Sequence, residues 1–159
     1  LTNTLRQTLG ETERVMKRHG RGCLPMEEAL FQTAPELLGD MDKKMEQFSG
    51  GQLQRICIAR AVACNPELIL FDEAISSLDA HTQVQIMDLL LDLKEKLGLT
   101  YIFITHDLTS ITYLCDDVLF LYQGRVTEYL PVKQLSEAKD IYARKLLESI
   151  IVFDTEEAS

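Results

Sequence analysis

Along the first 47 residues the apolar positions recur at loosely helical intervals: Leu5, Leu9, Val15 and Met16 in one stretch, then Ala29, Leu30, Leu37 and Leu38 in another. Gly20-Arg21-Gly22 interrupts the pattern, so the spacing predicts two short helices joined by a loop and no strand. The second helix is expected to start near Pro25-Met26-Glu27-Glu28, to be disturbed at Pro35 and to end at Gly39.

After Phe48 the texture changes. Leu68-Ile69-Leu70-Phe71, Tyr101-Ile102-Phe103-Ile104 and Val118-Leu119-Phe120-Leu121 are continuous apolar runs, the pattern of strands buried on both faces. A helix over residues 80–96 separates the first two, with Val84, Met87, Leu90 and Leu91 on one side and Gly98 as a left-handed stop. A helical crossover of this kind implies parallel strands. Gln123-Gly124 lies between residues 118–122 and 125–129 and predicts a tight reversal that closes an antiparallel hairpin. Two short helices are expected over residues 131–138 and 139–150, before a polar acidic tail at residues 154–159 that should fray.

Composition narrows the picture. With 159 residues, 46% of them hydrophobic, the chain is long enough for one folding unit with a sizeable core. Its formal net charge of −9 and pI near 4.8 argue against a nucleic-acid partner bound through a basic surface. The imbalance is uneven: residues 1–47 carry 8 acids and 7 bases, net −1, which leaves 17 and 9, net −8, for residues 48–159. No apolar run approaches the roughly 20 residues of a membrane-spanning helix. The start, Leu1-Thr2-Asn3-Thr4-Leu5-Arg6, has neither an initiator Met nor a secretory signal pattern, so the chain is expected to begin inside a longer protein. Cys23, Cys57, Cys64 and Cys115 show no CxxC pairing and read as reduced structural thiols. His19, His81 and His106 do not join them at metal-ligand spacing.

The strongest local signal is Phe48-Ser49-Gly50-Gly51-Gln52-Leu53. Ser49 followed three positions later by Gln52 is a capping box, and Phe48 and Leu53 stand where a hydrophobic staple joins N′ to N4. Two glycines are poor residues to open a helix, and they make sense where something must come close to the backbone. The free N–H groups and positive dipole end then form an anion site that a phosphate can reach. Taken alone, SGGQ is weak evidence and a structural cap is the better reading.

Sixteen residues after Gln52, the run beginning at Leu68 ends in Asp72-Glu73. A buried parallel strand delivers its last residues to the carboxyl edge of the sheet, where α/β proteins bind ligands. Asp72 there suits Mg²⁺, usually through water, and Glu73 is placed to orient or deprotonate an attacking water. Solvated acids at a strand end are the plainer alternative. His106, in Thr105-His106-Asp107 after the next apolar run, should reach the same edge. Between them, Asp79 in Ser76-Ser77-Leu78-Asp79 can cap the following helix, and capping alone accounts for it.

These four motifs, in this order, resemble the C-terminal part of the ATP-binding domain of ABC transporters. Phe48 to Gln52 resembles the family's LSGGQ signature with Phe for its first Leu. Asp72 and Glu73 match the Walker B aspartate and the catalytic glutamate, Ser77-Leu78-Asp79 the D-loop, and His106 the switch histidine. Gln52-Leu53-Gln54-Arg55, Phe103-Ile104-Thr105-His106-Asp107 and the segment after Gly124 look most like the ATPases of oligopeptide, dipeptide and nickel importers.

The resemblance implies an α/β fold: the C-terminal half of a P-loop NTPase-like parallel-sheet core, with a partial α-helical subdomain, a C-terminal β-hairpin and helices. Residues 1–64 would be the end of the helical subdomain, including the signature helix, and residues 65–159 the back half of the core. It also implies an ATPase subunit at the cytoplasmic face of a membrane, bound to transmembrane permease subunits and paired with a second ATP-binding subunit. Each signature would close over the ATP held by the other subunit. Ser49, Gly50, Gly51, Gln52 and Asp79 would then contact nucleotide, Asp72 would serve Mg²⁺, Glu73 the water, and His106 the γ-phosphate.

The departures matter as much. No GxxxxGK[ST] phosphate loop occurs, and the adenine-stacking segment and Q-loop are missing too, so the chain is expected to be a C-terminal fragment that is inactive alone. Two rival readings stand beside the importer. One is an ABC-type ATPase of DNA repair or chromosome structure, whose signature half should follow a long coiled coil, unlike the Gly- and Pro-broken helices here. The other is a non-enzymatic interaction fragment.

Overall fold

The computed structural model describes residues 3–154, with side chains described for residues 3–149. The chain divides into two compact units, residues 1–102 and 103–159. In the first unit the N-terminal helices gather one cluster of buried apolar residues, and in the second a hairpin and the last helix gather another.

In the first unit, α1 (Leu5–Arg18) opens on a capping box, with Gln7 N–H donating to the Thr4 hydroxyl and Thr4 N–H to the Gln7 side chain. Leu5 and Leu9 are its buried stripe, whereas Val15 is 52% exposed. α2 (Met26–Thr33) stops ahead of Pro35, and the chain continues as a 3₁₀ turn over Pro35–Asp40. The expected single helix is thus two pieces, because the proline removes a backbone donor. α3 (Gly50–Ala63) lies against α2, burying Ile56, Ala59 and Ala63 in a cluster with Leu5, Leu30 and Leu37. The Arg55 guanidinium donates to the Thr33 carbonyl at 3.0 Å and fixes that packing.

β1 (Leu68–Asp72) pairs with β2 (Thr100–Ile104) across α4 (Ala80–Leu97). Thr100 N–H donates to the Glu67 carbonyl, so both strands start side by side, as a helical crossover requires of a parallel pair. Gly98 ends α4 in the left-handed region at φ 64°. Ile86, Met87, Leu90 and Leu93 form the buried face of α4; Val84, expected there, is 45% exposed. β1 alternates exposed and buried, with Ile69 and Phe71 inward while Leu68 and Leu70 are 49% and 58% exposed. The expectation that these strands are buried on both faces is therefore corrected: the residues are apolar on both sides, and one layer covers one side.

In the second unit, α5 (Leu108–Leu114) leads into β3 (Asp117–Tyr122), which pairs antiparallel with β4 (Arg125–Pro131). Gln123 and Gly124 take φ of 49° and 76°, the two positive values that a two-residue primed turn needs. A 3₁₀ segment over Val132–Glu137 stands in place of the first expected helix, and α6 (Ile141–Asp154) follows. Val118, Phe120, Leu130 and Ala143 make this unit's core. The expected tail, apart from Asp154, lies outside the described residues. All four cysteines are free thiols, and Cys57 is exposed.

Candidate functional site

Ser49 holds an extended backbone ahead of α3, with φ −66° and ψ 163°, and its hydroxyl accepts from Gln52 N–H at 3.3 Å. The Gln52 side-chain carbonyl accepts in return from Ser49 N–H at 3.0 Å, completing the predicted capping box. Phe48 is buried in the first unit's core, and Leu53 packs on the same cluster, as the staple required. Ser49 and Gly50 are exposed, so the dipole end of α3 faces outward with two glycines in its first turn.

What comes close to those glycines is the chain itself. A Cβ built on Gly50 would meet Leu78 Cδ2 at 3.3 Å, and one built on Gly51 would meet Thr82 Cγ2 at 2.5 Å. The first contact is tight and the second impossible without movement.

Asp72 ends β1 and is exposed, as is Glu73. Glu73 has φ 49°, a left-handed backbone that a non-glycine residue adopts at a cost of roughly 1–2 kcal/mol. Ser76 holds it, donating its hydroxyl to the Glu73 carbonyl at 3.0 Å and its N–H to the same oxygen at 3.4 Å. Gln83 of α4 donates its side-chain amide to the Ile75 carbonyl at 3.0 Å. The segment from the acid pair to α4 is thus tied at both ends.

Asp79 caps α4, accepting from Thr82 N–H at 3.0 Å and from the Thr82 hydroxyl at 2.7 Å. These bonds, the hydroxyl's first, hold its carboxyl below the usual carboxylate range. Capping, the plainer role foreseen for Asp79, is what the geometry displays.

His106 belongs to the second unit, exposed on the segment between β2 and α5. Its neighbour Asp107 caps α5: Thr109 N–H and Ser110 N–H donate to its carboxylate at 3.0 and 3.1 Å, and the Ser110 hydroxyl donates to it too. Asp107 N–H donates to Thr105 Oγ1 at 3.0 Å. The histidine therefore sits between Thr105 and Asp107, inside the turn that their bond closes and just ahead of the capped start of α5.

The first unit thus contains the capped glycine turn, the acid pair and Asp79. Sequence reasoning passed over Thr82, Ser76 and Gln83. A hydroxyl three residues after an N-cap Asp hinted at Thr82, while its contact with Gly51 depends on the fold.

Among the described residues no group of three or more His, Cys, Asp or Glu side chains could hold a metal by itself. Mg²⁺ does not need one, because phosphates and water complete its octahedron around one or two carboxylates. A single exposed strand-end carboxylate such as Asp72 fits that demand. Among the described residues, no helix is long and apolar enough to cross a membrane.

The sequence model of the ABC transporter family matches residues 5–76. Over 113 residues the chain is 49% identical to the metal-staphylopine import system ATP-binding protein CntF of Staphylococcus aureus, covering 71% of this chain and 45% of that protein. Over 112 residues it is 44% identical to the nickel import ATP-binding protein NikE of Rhodospirillum rubrum, covering 70% and 40%. Among solved structures it is similar to the ATP-binding cassette MJ0796, described as dimeric in a post-hydrolysis state with ADP and Pi. That match has a TM-score of 0.56 and 37% identity, over 66% of this chain and 44% of that one. The chain spans less than half the length of these relatives.

Proposed function

Because the chain belongs to the ABC transporter family of ATP-binding proteins, we propose that it is the signature-bearing part of an importer ATPase that couples ATP hydrolysis to uptake of a solute of the peptide or nickel type. The observation that carries this reading is the glycine turn of α3, capped by Ser49 and standing against the Leu78–Thr82 segment, in the same unit as Asp72 and Glu73.

The chemistry divides among these residues. Ser49 and the N–H groups of Gly50, Gly51 and Gln52 bind the γ-phosphate of ATP held by a second ATP-binding subunit, because free helix N–H groups meet oxyanions without a side chain in the way. Glu73, just past the end of β1, takes the proton of the attacking water. Asp72 would hold Mg²⁺, which would neutralise charge on the phosphoryl oxygens. His106 donates to the γ-phosphate, and Asp79 holds the first turn of α4 at the nucleotide. The whole protein docks on transmembrane permease subunits at the cytoplasmic face of the membrane, with residues 1–64 in a helical subdomain and residues 65–159 in the ATPase core.

The test is co-purification of the full-length protein with a permease, followed by ATP hydrolysis measured with and without the transported solute. Hydrolysis stimulated by solute in the assembled complex supports the importer. An active ATPase that binds no permease favours the DNA-repair or chromosome-structure class, and absence of nucleotide binding in the full-length protein leaves only an interaction role.

A further inference from the structure

Gly51 is the second residue of α3, and the obvious reason for a glycine there is the approach of a phosphate. The structure supplies another. Thr82 Cγ2 stands 2.5 Å from the place of a Cβ on Gly51, and Thr82 Cβ and Oγ1 stand 3.9 Å from it. The intruding atom is not the end of a flexible side chain. Thr82 is β-branched, with few χ1 choices. Asp79 accepts both its hydroxyl and its N–H, at 2.7 and 3.0 Å, which leaves the methyl aimed at the α3 backbone. The partner surface is equally fixed: the Ser49–Gln52 capping box sets the first turn of α3, and Gln83 ties α4 to the loop after Glu73.

We propose that Thr82 is a positioning residue for the phosphate-binding turn of α3: its methyl fills the place of a Gly51 side chain and thereby sets where the Gly50, Gly51 and Gln52 N–H groups point. On this account Gly51 is glycine to admit Thr82, and the first turn of α4 transmits the position of the Glu73 loop to the signature turn within one subunit. The inference rests on the proposed function for the identity of the anion, and on geometry alone for the contact.

The side chains separate the contributions. Thr82→Ser keeps the hydroxyl bonded to Asp79 and removes the methyl. Gly51→Ala adds the conflicting carbon. In the full-length protein, Gly51→Ala should raise the KM for ATP in dimer-dependent hydrolysis by about tenfold to a hundredfold, the scale of an ångström-sized misplacement. Its monomer should bind a fluorescent ATP analogue as the parent does. The double variant Gly51→Ala/Thr82→Ser should return KM to within about threefold of the parent. A merely structural defect would lower kcat by shrinking the folded fraction and leave KM unchanged.

Thermal denaturation of all four proteins reads the same contact without nucleotide: Tm should fall in Gly51→Ala and recover in the double variant. Failure of the double variant to recover Tm, or to fold, overturns the proposal, as does a Gly51→Ala protein with the parent's Tm and KM. Recovery of Tm with KM still raised also overturns it, because the glycine is then required by the phosphate and not by Thr82. If the parent itself neither binds nor hydrolyses ATP, the functional reading fails while the Tm comparison still decides the contact.

Discussion

Ser76 donates its hydroxyl to the backbone carbonyl of Glu73 at 3.0 Å, bracing the left-handed φ of 49° at that glutamate. The side chain proposed to accept the water's proton thus hangs from a backbone that a local hydrogen bond keeps in an uncommon conformation. Glu73→Gln in the full-length protein should keep ATP binding and dimer closure, while lowering turnover by roughly two or more orders of magnitude, the scale of a lost general base. Ser76→Ala should cost far less, about 1 kcal/mol or some fivefold, since it removes one hydrogen bond and no reacting group. Steady-state hydrolysis by the two variants checks this order, and near-parental turnover in Glu73→Gln removes the residue from its role.

Gly50 differs from Gly51 in what stands over it. Leu78 Cδ2 lies 3.3 Å from the place of a Cβ, and the end of a leucine side chain can shift by a few tenths of an ångström. Gly50→Ala should therefore be mild. Gly50→Asp places a carboxylate where the γ-phosphate is proposed to sit, so it should abolish ATP-driven dimerisation and leave nucleotide binding to the monomer intact. Size-exclusion chromatography with ATP, beside monomer binding, reads both; dimerisation of the aspartate variant at parental ATP concentrations refutes a phosphate at this turn.

Tyr101 packs edge-on against Phe71, ring centres 5.2 Å apart at 84°, and donates its hydroxyl to the Leu90 carbonyl at 3.0 Å. Burial pushes its pKa up to about 12. The unfolded value is near 10, so the fold favours the neutral phenol. That contribution is complete below about pH 10 and disappears as pH rises through about 12. Tm of the parent should therefore fall over this window more steeply than that of Tyr101→Phe, which at neutral pH lies below the parent by the loss of one hydrogen bond, about 1 kcal/mol. Parallel pH profiles for the two proteins would contradict the assignment.

Local features were legible in the residues. Ser49 with Gln52, Asp79 ahead of α4, Gly98 and the Gln123-Gly124 turn each act within four residues of themselves, and each stands where the sequence put it. Misses come from longer range. Leu68 and Leu70 read as buried because composition reports that a strand face is apolar and says nothing of whether a layer covers it. Val84 shares a helix side with Met87 and Leu90 by spacing, yet which side is covered depends on neighbours far along the chain. The contact between Thr82 and Gly51 arises only because α3 and α4 pack together, so no local pattern marks that contact.

Asp107 supplies an acid-side counterpart to Tyr101. Partial burial works to raise its pKa, but hydrogen bonds from the Ser110 hydroxyl and from the N–H groups of Thr109 and Ser110 outweigh it, and the net shift is downward. A lowered folded pKa means that its stabilisation is complete above the unfolded value of about 3.9 and is lost as pH falls through the folded one. Asp107→Asn keeps a capping side chain without the titration. The parent should be more stable than the variant by a constant margin at pH 5 to 8, and the margin should shrink below about pH 4. Thermal melts across that range decide it; a margin that grows in acid would reverse the sign.

Affinity for nucleotide should separate this 159-residue chain from its longer relatives. Backbone N–H groups of a GxxxxGK[ST] loop ordinarily cradle the phosphates, and the lysine reaches the β- and γ-phosphates. The sequence contains no such run, and what it offers instead is one glycine turn, proposed to meet ATP only when another subunit presents it. A single helix N-terminus with about half a unit charge cannot replace that cradle in water, where the gain per contact is small. The chain alone should therefore bind Mg-ATP much more weakly than micromolar and show no hydrolysis. Added to a subunit that carries a phosphate loop and a signature mutated as in Gly50→Asp, its intact Ser49-Gly50-Gly51 turn should restore measurable turnover at the composite site. Titration calorimetry that finds micromolar affinity for the chain by itself would mean that the phosphates are held by residues other than those named here. Restoration by a Gly50→Asp version of the chain would show that the turn is not what closes on the nucleotide.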